Sequence, residues 1–204
     1  MPAGRVGPRN PRSPHDFDEM YTTTPPWDIG RPQAPFVALA DAGALQGTVL
    51  DAGCGTGEHA LMAAGRGLEV TGIDLAAKAI AAAEAKARDR GITARFLVCD
   101  ALNLPELGQF DTVLDCGLYH VFGDDDRARF LASLAGVVKP GGRYFMLCFS
   151  DRQPGDWGPR RITESELRKN FADGWRIDSL EPATIEVILD PGTVQGWLVA
   201  LTRT

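Results

Sequence analysis

Apolar positions along this chain fall into two alternating kinds of run. Short stretches rich in Val, Leu, Ile and Phe are bounded by glycine or aspartate, as strands are. Between them lie longer stretches with apolar positions three or four residues apart, as on one face of a helix. The regular pattern begins at Thr48. Strands are expected at 48–53, 68–74, 94–100, 110–117 and 143–150, and helices at 57–67, 76–91, 124–142 and 163–174. The helix at 76–91 is alanine-rich and ends on a glycine stop,. Asp residues open the helix at 124–142, and Pro-Gly-Gly closes it,. Thr163 and Glu166 have capping-box spacing at the start of the helix at 163–174,. Two further strands, 175–188 and 196–204, follow without an intervening helix.

Strand–helix alternation implies a parallel, doubly wound sheet covered on both faces. The last pair implies a hairpin. The expected fold is therefore α/β: a Rossmann-like seven-stranded sheet, mostly parallel, with an antiparallel C-terminal edge hairpin in which an edge strand runs antiparallel. Residues 1–15 are rich in Pro, Gly and Arg and read as a flexible arm,. Residues 16–44 read as an N-terminal lid segment, and 45–204 as one catalytic-size domain. Within the lid segment, "DFDEMYTT" (16–23) has Phe17, Met20 and Tyr21 on one helical face,. "TTTPPWDIGRPQ" (22–33) is too proline-rich for a long helix or a central strand,.

Composition narrows the class. The chain has 204 residues, 44% of them hydrophobic, which suits one domain with a full core,. Its net charge of -6 and pI near 5.1 disfavour a nucleic-acid partner,. No run is long and apolar enough to span a membrane,. The N-terminus lacks the apolar core of a signal peptide, so a cytoplasmic protein is expected,. Cys54, Cys99, Cys116 and Cys148 are widely spaced and form no CxxC pair, and His15, His59 and His120 do not cluster with them. That pattern predicts reduced thiols and neither a zinc site nor a disulfide framework.

The candidate chemistry centres on "VLDAGCGTGEHA" (49–60). Gly53, Gly55 and Gly57 lie where a strand turns into a helix, at the carboxyl edge where an open α/β sheet binds ligands. Their spacing is G-x-G-x-G after Asp51, rather than the dinucleotide G-x-G-x-x-G,. Asp74 ends the second strand, a position from which a carboxylate reaches ribose hydroxyls. Asp100 ends the third. Each also suits a helix cap. The order acidic–glycine loop, Asp74, Asp100, "FDTVLDCG" and "VKPGGRYF" resembles the class I S-adenosylmethionine (SAM) methyltransferases over about residues 45–150. That resemblance implies SAM as cofactor and S-adenosylhomocysteine (SAH) as product. It implies cofactor contacts from Asp51, Gly53, Cys54, Gly55, Thr56, Gly57, Asp74, Leu75, Asp100, Ala101, Leu102, Asp115 and Cys116. It also implies in-line methyl transfer to an O, N or S nucleophile.

On the acceptor side, "DCGLYHVFGD" (115–124) lacks the N/D-P-P-Y motif of enzymes that methylate bases or glutamine amides. A small, aromatic or heterocyclic acceptor is expected instead. His120 is the candidate general base, or else packs structurally. Tyr119 is the second catalytic candidate. Tyr21, Trp27, Phe122, Arg160 and Arg161 are candidate acceptor contacts, and the two arginines would otherwise be solvated. His59 is expected at the surface. "PPWDIGRP" resembles a segment of thiopurine-, thiol- and halide-methyltransferase-like enzymes and of bacterial heterocycle or quinol methyltransferases, in which the tryptophan lies over the cofactor. That resemblance extends to Trp27, Asp28, Gly30 and Arg31. A monomer or weak homodimer is expected, with no nucleic-acid or membrane partner and no metal. The alternatives are a nicotinamide-dependent oxidoreductase, against which the glycine spacing and the lack of a Tyr-x-x-x-Lys pair count, and a non-catalytic SAM-binding protein.

Overall fold

The structure is a computed structural model and describes residues 14–204. The arm expected at 1–15 thus lies outside the described residues except for its last two positions, which begin the first helix. In chain order the elements are α1 (Pro14–Met20), α2 (Ala34–Asp41), β1 (Thr48–Ala52), α3 (Glu58–Gly65), β2 (Glu69–Asp74), α4 (Ala77–Arg90), β3 (Arg95–Val98), β4 (Phe110–Cys116), α5 (Asp124–Val137), β5 (Val138–Phe149), α6 (Glu164–Asn170), β6 (Trp175–Glu186) and β7 (Thr193–Arg203). The seven strands form one sheet in the order β3-β2-β1-β4-β5-β7-β6.

Pairing is parallel from β3 to β5, and β7 runs antiparallel to both of its neighbours. The antiparallel strand is therefore β7, inserted between β5 and β6, and not the edge strand expected from the sequence. β6 takes the edge because Pro182, paired with Trp197, has no N–H to offer a further strand,. Arg176, Asp178 and Glu181 add charge along the same edge,.

Two cores flank the sheet. Along β5, Tyr144, Met146 and Cys148 point into one core with Phe130 of α5 and Leu167 of α6. The alternate residues Phe145, Leu147 and Phe149 point into the other, with Phe36 of α2, Leu61 of α3 and Ile80 of α4,. Burial on both faces explains why the central strands are continuous apolar runs. The capping box of Thr163 and Glu166 forms as the sequence implies. The helix expected at 124–142 ends at Val137 instead, because Pro140 bars helical backbone at Lys139 and Val138 already starts β5,.

The segment before β1 is a strap anchored at both ends of the site. Its far anchor is the end of β6. The amide nitrogen of Gln33 donates to the carbonyl of Glu186 at 2.9 Å, and its Oε1 accepts from the Glu186 N–H at 2.8 Å. Arg31 forms a two-pronged ion pair with the Glu186 carboxylate, and the Pro26 carbonyl accepts from the N–H of Ile188 at 2.9 Å. Gln33 is 2% exposed, so Gln33→Ala would strand two backbone groups of Glu186. Chemical denaturation of Gln33→Ala should show a loss of about 1–3 kcal/mol. Arg31→Ala, which breaks a largely exposed pair, should cost clearly less than Gln33→Ala,. An equal loss in the two variants would contradict this division.

Candidate active site

The carboxyl edge of the parallel strands carries the glycine loop. Gly55 (φ 53°) and Gly57 (φ 85°) are left-handed, a conformation that glycine adopts without steric cost,. A Cβ at Gly57 would lie 2.8 Å from the methyl of Ala83 on α4, so glycine also allows the loop to pack on that helix. A Cβ at Gly55 would meet Tyr21, with its hydroxyl at 3.0 Å. The loop backbone at Gly55 thus lies directly against the ring of Tyr21, leaving no room for a side chain.

The four candidate carboxylates divide into two pairs. Asp51 and Asp115 are buried, and each holds nearby backbone through its carboxylate. Asp51 accepts from the N–H of Ala60 at 2.9 Å and so fixes the first turn of α3 on β1. Asp115 accepts from the N–H of Leu118 at 2.8 Å, the N–H of Tyr119 at 3.1 Å and the hydroxyl of Tyr144 at 2.7 Å. Burial pushes Asp51 up to about 7 and Asp115 up to about 6,. Both shape the loops at this edge; Asp115 has both oxygens engaged, whereas Asp51 keeps its second oxygen without a protein partner among the described residues.

Asp74 and Asp100 lie at the crevice. Asp74 accepts from the Gly55 N–H and the Ala76 N–H, both at 2.9 Å, one bond on each oxygen. The cap and ligand readings of Asp74 are therefore compatible, because each carboxylate oxygen keeps a lone pair. Burial raises its pKa. Asp100 caps the short 3-10 turn Ala101–Asn103 through the Leu102 N–H at 2.9 Å, leaving its other oxygen free. Leu75 is half-buried beside Asp74, Ala101 is buried, and Leu102 packs against the core. The thiol of Cys54 lies beneath the loop, 3.0 Å from where a Cβ on Gly72 would sit, and burial raises its pKa, as it does that of Cys116. These two thiols serve as packing groups.

The near anchor of the strap is the glycine loop itself. Lys86 of α4 donates to the Thr56 hydroxyl at 2.7 Å, and Thr56 donates onward to Asp28 at 2.8 Å. The other carboxylate oxygen of Asp28 accepts from the N–H of Gly30 at 3.1 Å. Lys86 is held by Glu58, which Arg90 grips with both guanidinium nitrogens at 2.9 Å. Tyr21 accepts from the indole N–H of Trp27 at 3.2 Å. Burial and the nearby Asp74 charge raise the Tyr21 pKa, so its hydroxyl stays protonated above Gly55. Tyr21, expected at the acceptor, thus lies against the cofactor loop. Trp27, expected over the cofactor, stands at the rim and is 41% exposed. The spacing of Lys86 and Glu58 along the chain gave no sign of this network, which needs α4 packed against the loop.

The acceptor candidates change roles. His120 is 7% exposed, and its Nδ1 accepts from the N–H of Phe149 at 3.0 Å. Burial, together with Arg127 and Arg161, pushes its pKa down to about 3. In the neutral ring the free lone pair is on Nδ1 and is already engaged, so His120 has none with which to act as a base. Tyr119 is fully buried, accepts from Asn170 at 2.8 Å and stacks on Phe171, so it belongs to the core. Phe122 packs on Phe130. Arg160 pairs with Asp124 and Glu166. Arg161 donates to the carbonyls of Gln153, Pro154, Gly155, Trp157 and Pro159 and so folds the loop after β5. Neither arginine is free to receive an anionic acceptor, and neither is merely solvated. His59, expected at the surface, packs on Phe36 and accepts from the N–H of Gln33 at 3.1 Å.

The rim around the crevice is apolar. Among the described residues, the large hydrophobic side chains left exposed are Trp27, Val98, Val121, Trp157, Ile188 and Leu189. Val98 ends β3, Val121 follows β4, Trp157 follows β5, and Ile188 and Leu189 follow β6, which runs parallel to β5. Trp27 joins them through the bond between Pro26 and Ile188. All six sit on the side of the sheet that carries the glycine loop. Among the described residues no group of three His, Cys, Asp or Glu side chains could hold a metal, and no helix is long and apolar enough to cross a membrane.

Comparison with known proteins agrees with this geometry. The family described as "Methyltransferase domain" matches residues 49–142. A 2-heptyl-1-hydroxyquinolin-4(1H)-one methyltransferase of Mycobacteroides abscessus is 36% identical over 171 residues, covering 82% of this chain and 75% of that protein. A structure solved in work on the conversion of a disulfide bond into a thioacetal group during echinomycin biosynthesis is 38% identical, with a TM-score of 0.85 over 94% of this chain and 93% of the other. The SAH-bound 1,6-didemethyltoxoflavin-N1-methyltransferase of Burkholderia thailandensis shares the fold at 23% identity, with a TM-score of 0.73 over 94% of this chain and 87% of that one. The chain belongs to the SAM-dependent methyltransferases. It is an enzyme of the class that methylates small molecules, which overturns the oxidoreductase alternative. The residues present fit SAM: beside the glycine loop, Asp74 keeps a lone pair on each oxygen for hydroxyl donors, and the protonated hydroxyl of Tyr21 stands over Gly55.

The buried His120 and the half-buried His59 both accept backbone N–H bonds and are held neutral, His59 with its pKa pushed down to about 4 by desolvation. An unfolded histidine protonates near its ordinary value of 6.5, so the stability each contributes is present above that pH and is lost as pH falls toward the folded value,. The raised Asp51 and Asp115 work in the opposite direction over much of the same range, so a single variant isolates the effect. Denaturation of His59→Gln should show a deficit relative to wild type that shrinks between pH 7 and 5, by on the order of 1 kcal/mol per unit. A deficit constant with pH would show that His59 is not held neutral.

Proposed function

We propose that this enzyme methylates an oxygen, nitrogen or sulfur nucleophile of a small, aromatic or heterocyclic acceptor, one that reaches the site without needing a proton removed by the protein. The observation that carries this reading is the state of the catalytic candidates His120 and Tyr119 and of the carboxylates buried near them. The Nδ1 of His120 is engaged, Asp51 and Asp115 are buried and bonded, and Tyr119 is in the core. An acidic N-hydroxyl or phenol, a thiol or a neutral sulfur satisfies that constraint, because its nucleophilic lone pair is available near neutral pH. The exposed apolar rim supports an aromatic body for the acceptor.

SAM, when bound, supplies a methyl group on a sulfonium centre with a neutral thioether as leaving group. The chain's own part is binding, alignment and exclusion of water. Asp74 is assigned to the ribose hydroxyls, Asp100 to the adenine end, and Tyr21 to the polar end near Gly55. Residues 16–44 act as the lid, with the strap 22–33 as its closing part and Trp27 at its outer edge. The hydroxyquinolone relative and the echinomycin-pathway structure support acceptors whose reacting atom is acidic or is sulfur.

The test is SAH release from SAM across pH with three acceptors: 1-hydroxyquinolin-4(1H)-one, thiophenol and unsubstituted phenol. The pH dependence should follow the ionisation of each acceptor, and phenol should be the slowest near pH 7. One shared ionisation for all three, belonging to the enzyme, would overturn the base-free reading. SAM binding without turnover of any of them would overturn the acceptor class.

A further inference from the structure

The arrangement that removes His120 as a base leaves it with an unused function. Its Nδ1 accepts from the N–H of Phe149 at 3.0 Å, so the ring proton of the neutral imidazole resides on Nε2,. Among the described residues no protein group accepts from that Nε2–H. The residue is more than nine-tenths buried, yet Nε2 is not sealed away from solvent, so this edge of the ring is the part an incoming ligand can reach. Its place is specific. A Cβ on Gly117 would lie 3.3 Å from Cε1 and 3.4 Å from Nε2 of the ring. Gly117 directly follows β4, which pairs with β1 up to Ala52↔Asp115, and the adjacent Leu118 lies 3.0 Å from where a Cβ on Gly53 would sit. The donor edge of the imidazole is therefore beside the cofactor loop, on the side of the apolar rim.

We infer that His120 is a catalytic residue that donates its Nε2–H to an oxygen of the methyl acceptor, a carbonyl or oxyanion attached to or conjugated with the reacting atom. The surroundings favour that partner. Arg127 and Arg161 place positive charge near the ring, a field that stabilises oxygen-centred negative charge and disfavours a second cation,. Phe149 packs edge-on against the imidazole at 5.0 Å between centroids, and Trp157 packs against Phe149 at 6.2 Å. These rings prevent the imidazole from turning its Nδ1 toward the crevice. The hydrogen bond would orient the acceptor and hold the charge of an ionised heterocycle while its nucleophile faces the methyl group. No proton is transferred to or from His120 in this role.

This assignment rests on the acceptor class proposed above, and the experiment separates the two. In histidine-labelled enzyme loaded with SAH, nitrogen NMR should show His120 as the Nε2–H tautomer. Its proton resonance should move downfield on addition of 1-hydroxyquinolin-4(1H)-one but not of thiophenol, which has no oxygen. An Nδ1–H tautomer, or the same response to both compounds, would overturn the assignment whether or not either compound is turned over. In turnover, His120→Phe should lower kcat/KM for the hydroxyquinolone by about tenfold or more, corresponding to ~1.4 kcal/mol, and leave thiophenol nearly unchanged. His120→Gln, whose side-chain amide keeps an N–H donor, should recover most of the loss. Equal losses with both acceptors would assign the ring to packing alone. Failure of the wild type to methylate either compound, with the hydrogen bond present in the spectrum, would count against the acceptor class and not against the donor.

Discussion

The site depends on one hydroxyl group. Thr56 receives a hydrogen bond from Lys86 and passes one to Asp28, and the direction of the chain is forced. An ammonium can only donate, so the threonine oxygen accepts from it and turns its own proton toward the strap. A helix on one face of the sheet, the glycine loop at its carboxyl edge and the N-terminal strap are thereby locked in one geometry. A parallel sheet builds its ligand crevice at this edge and leaves it open to water. Methyl transfer needs alignment and dryness rather than strong acid–base chemistry, so closing the crevice is the main demand on the fold.

The carboxylates show how that demand is met. Asp115 commits both oxygens to the turn after β4 and to Tyr144, and Asp51 commits one to the first turn of α3. Asp74 and Asp100 each keep unused acceptor capacity at the crevice. The arginines behave similarly: Arg161 spends its donors on five carbonyls to fold the loop that carries Trp157, and Arg160 joins α5 to α6 through Asp124 and Glu166. Charge here is used mostly for construction, and the surface left for the acceptor is apolar.

Local signals in the sequence were sufficient where local physics decides. The alanine-rich helix with its glycine stop, the capping box at Thr163, the glycine loop and the order of strands and helices all follow from residue propensities and spacing. The signals were insufficient where a partner distant in sequence decides. Helix α2 was not expected, because it is short and follows the proline-rich strap; its packing of Phe36 on His59 comes only with the tertiary fold. That a histidine lies after β4 is legible, but its tautomer is set by the Phe149 N–H, 29 residues away. Arg160 and Arg161 looked available because their partners, carbonyls and carboxylates of a folded loop, leave no pattern in the sequence. The position of the antiparallel strand inside the sheet was likewise hidden, although Pro182 marks β6 as the edge.

The coupling of strap to cofactor loop is tested most directly by calorimetric titration of SAH into Thr56→Val and Thr56→Ser enzymes. Valine keeps the shape and removes both hydrogen bonds, whereas serine keeps the hydroxyl. Affinity should fall by about tenfold, or ~1.4 kcal/mol, in Thr56→Val and stay close to wild type in Thr56→Ser. Wild-type affinity in Thr56→Val would contradict the hydroxyl as the joint that closes the site.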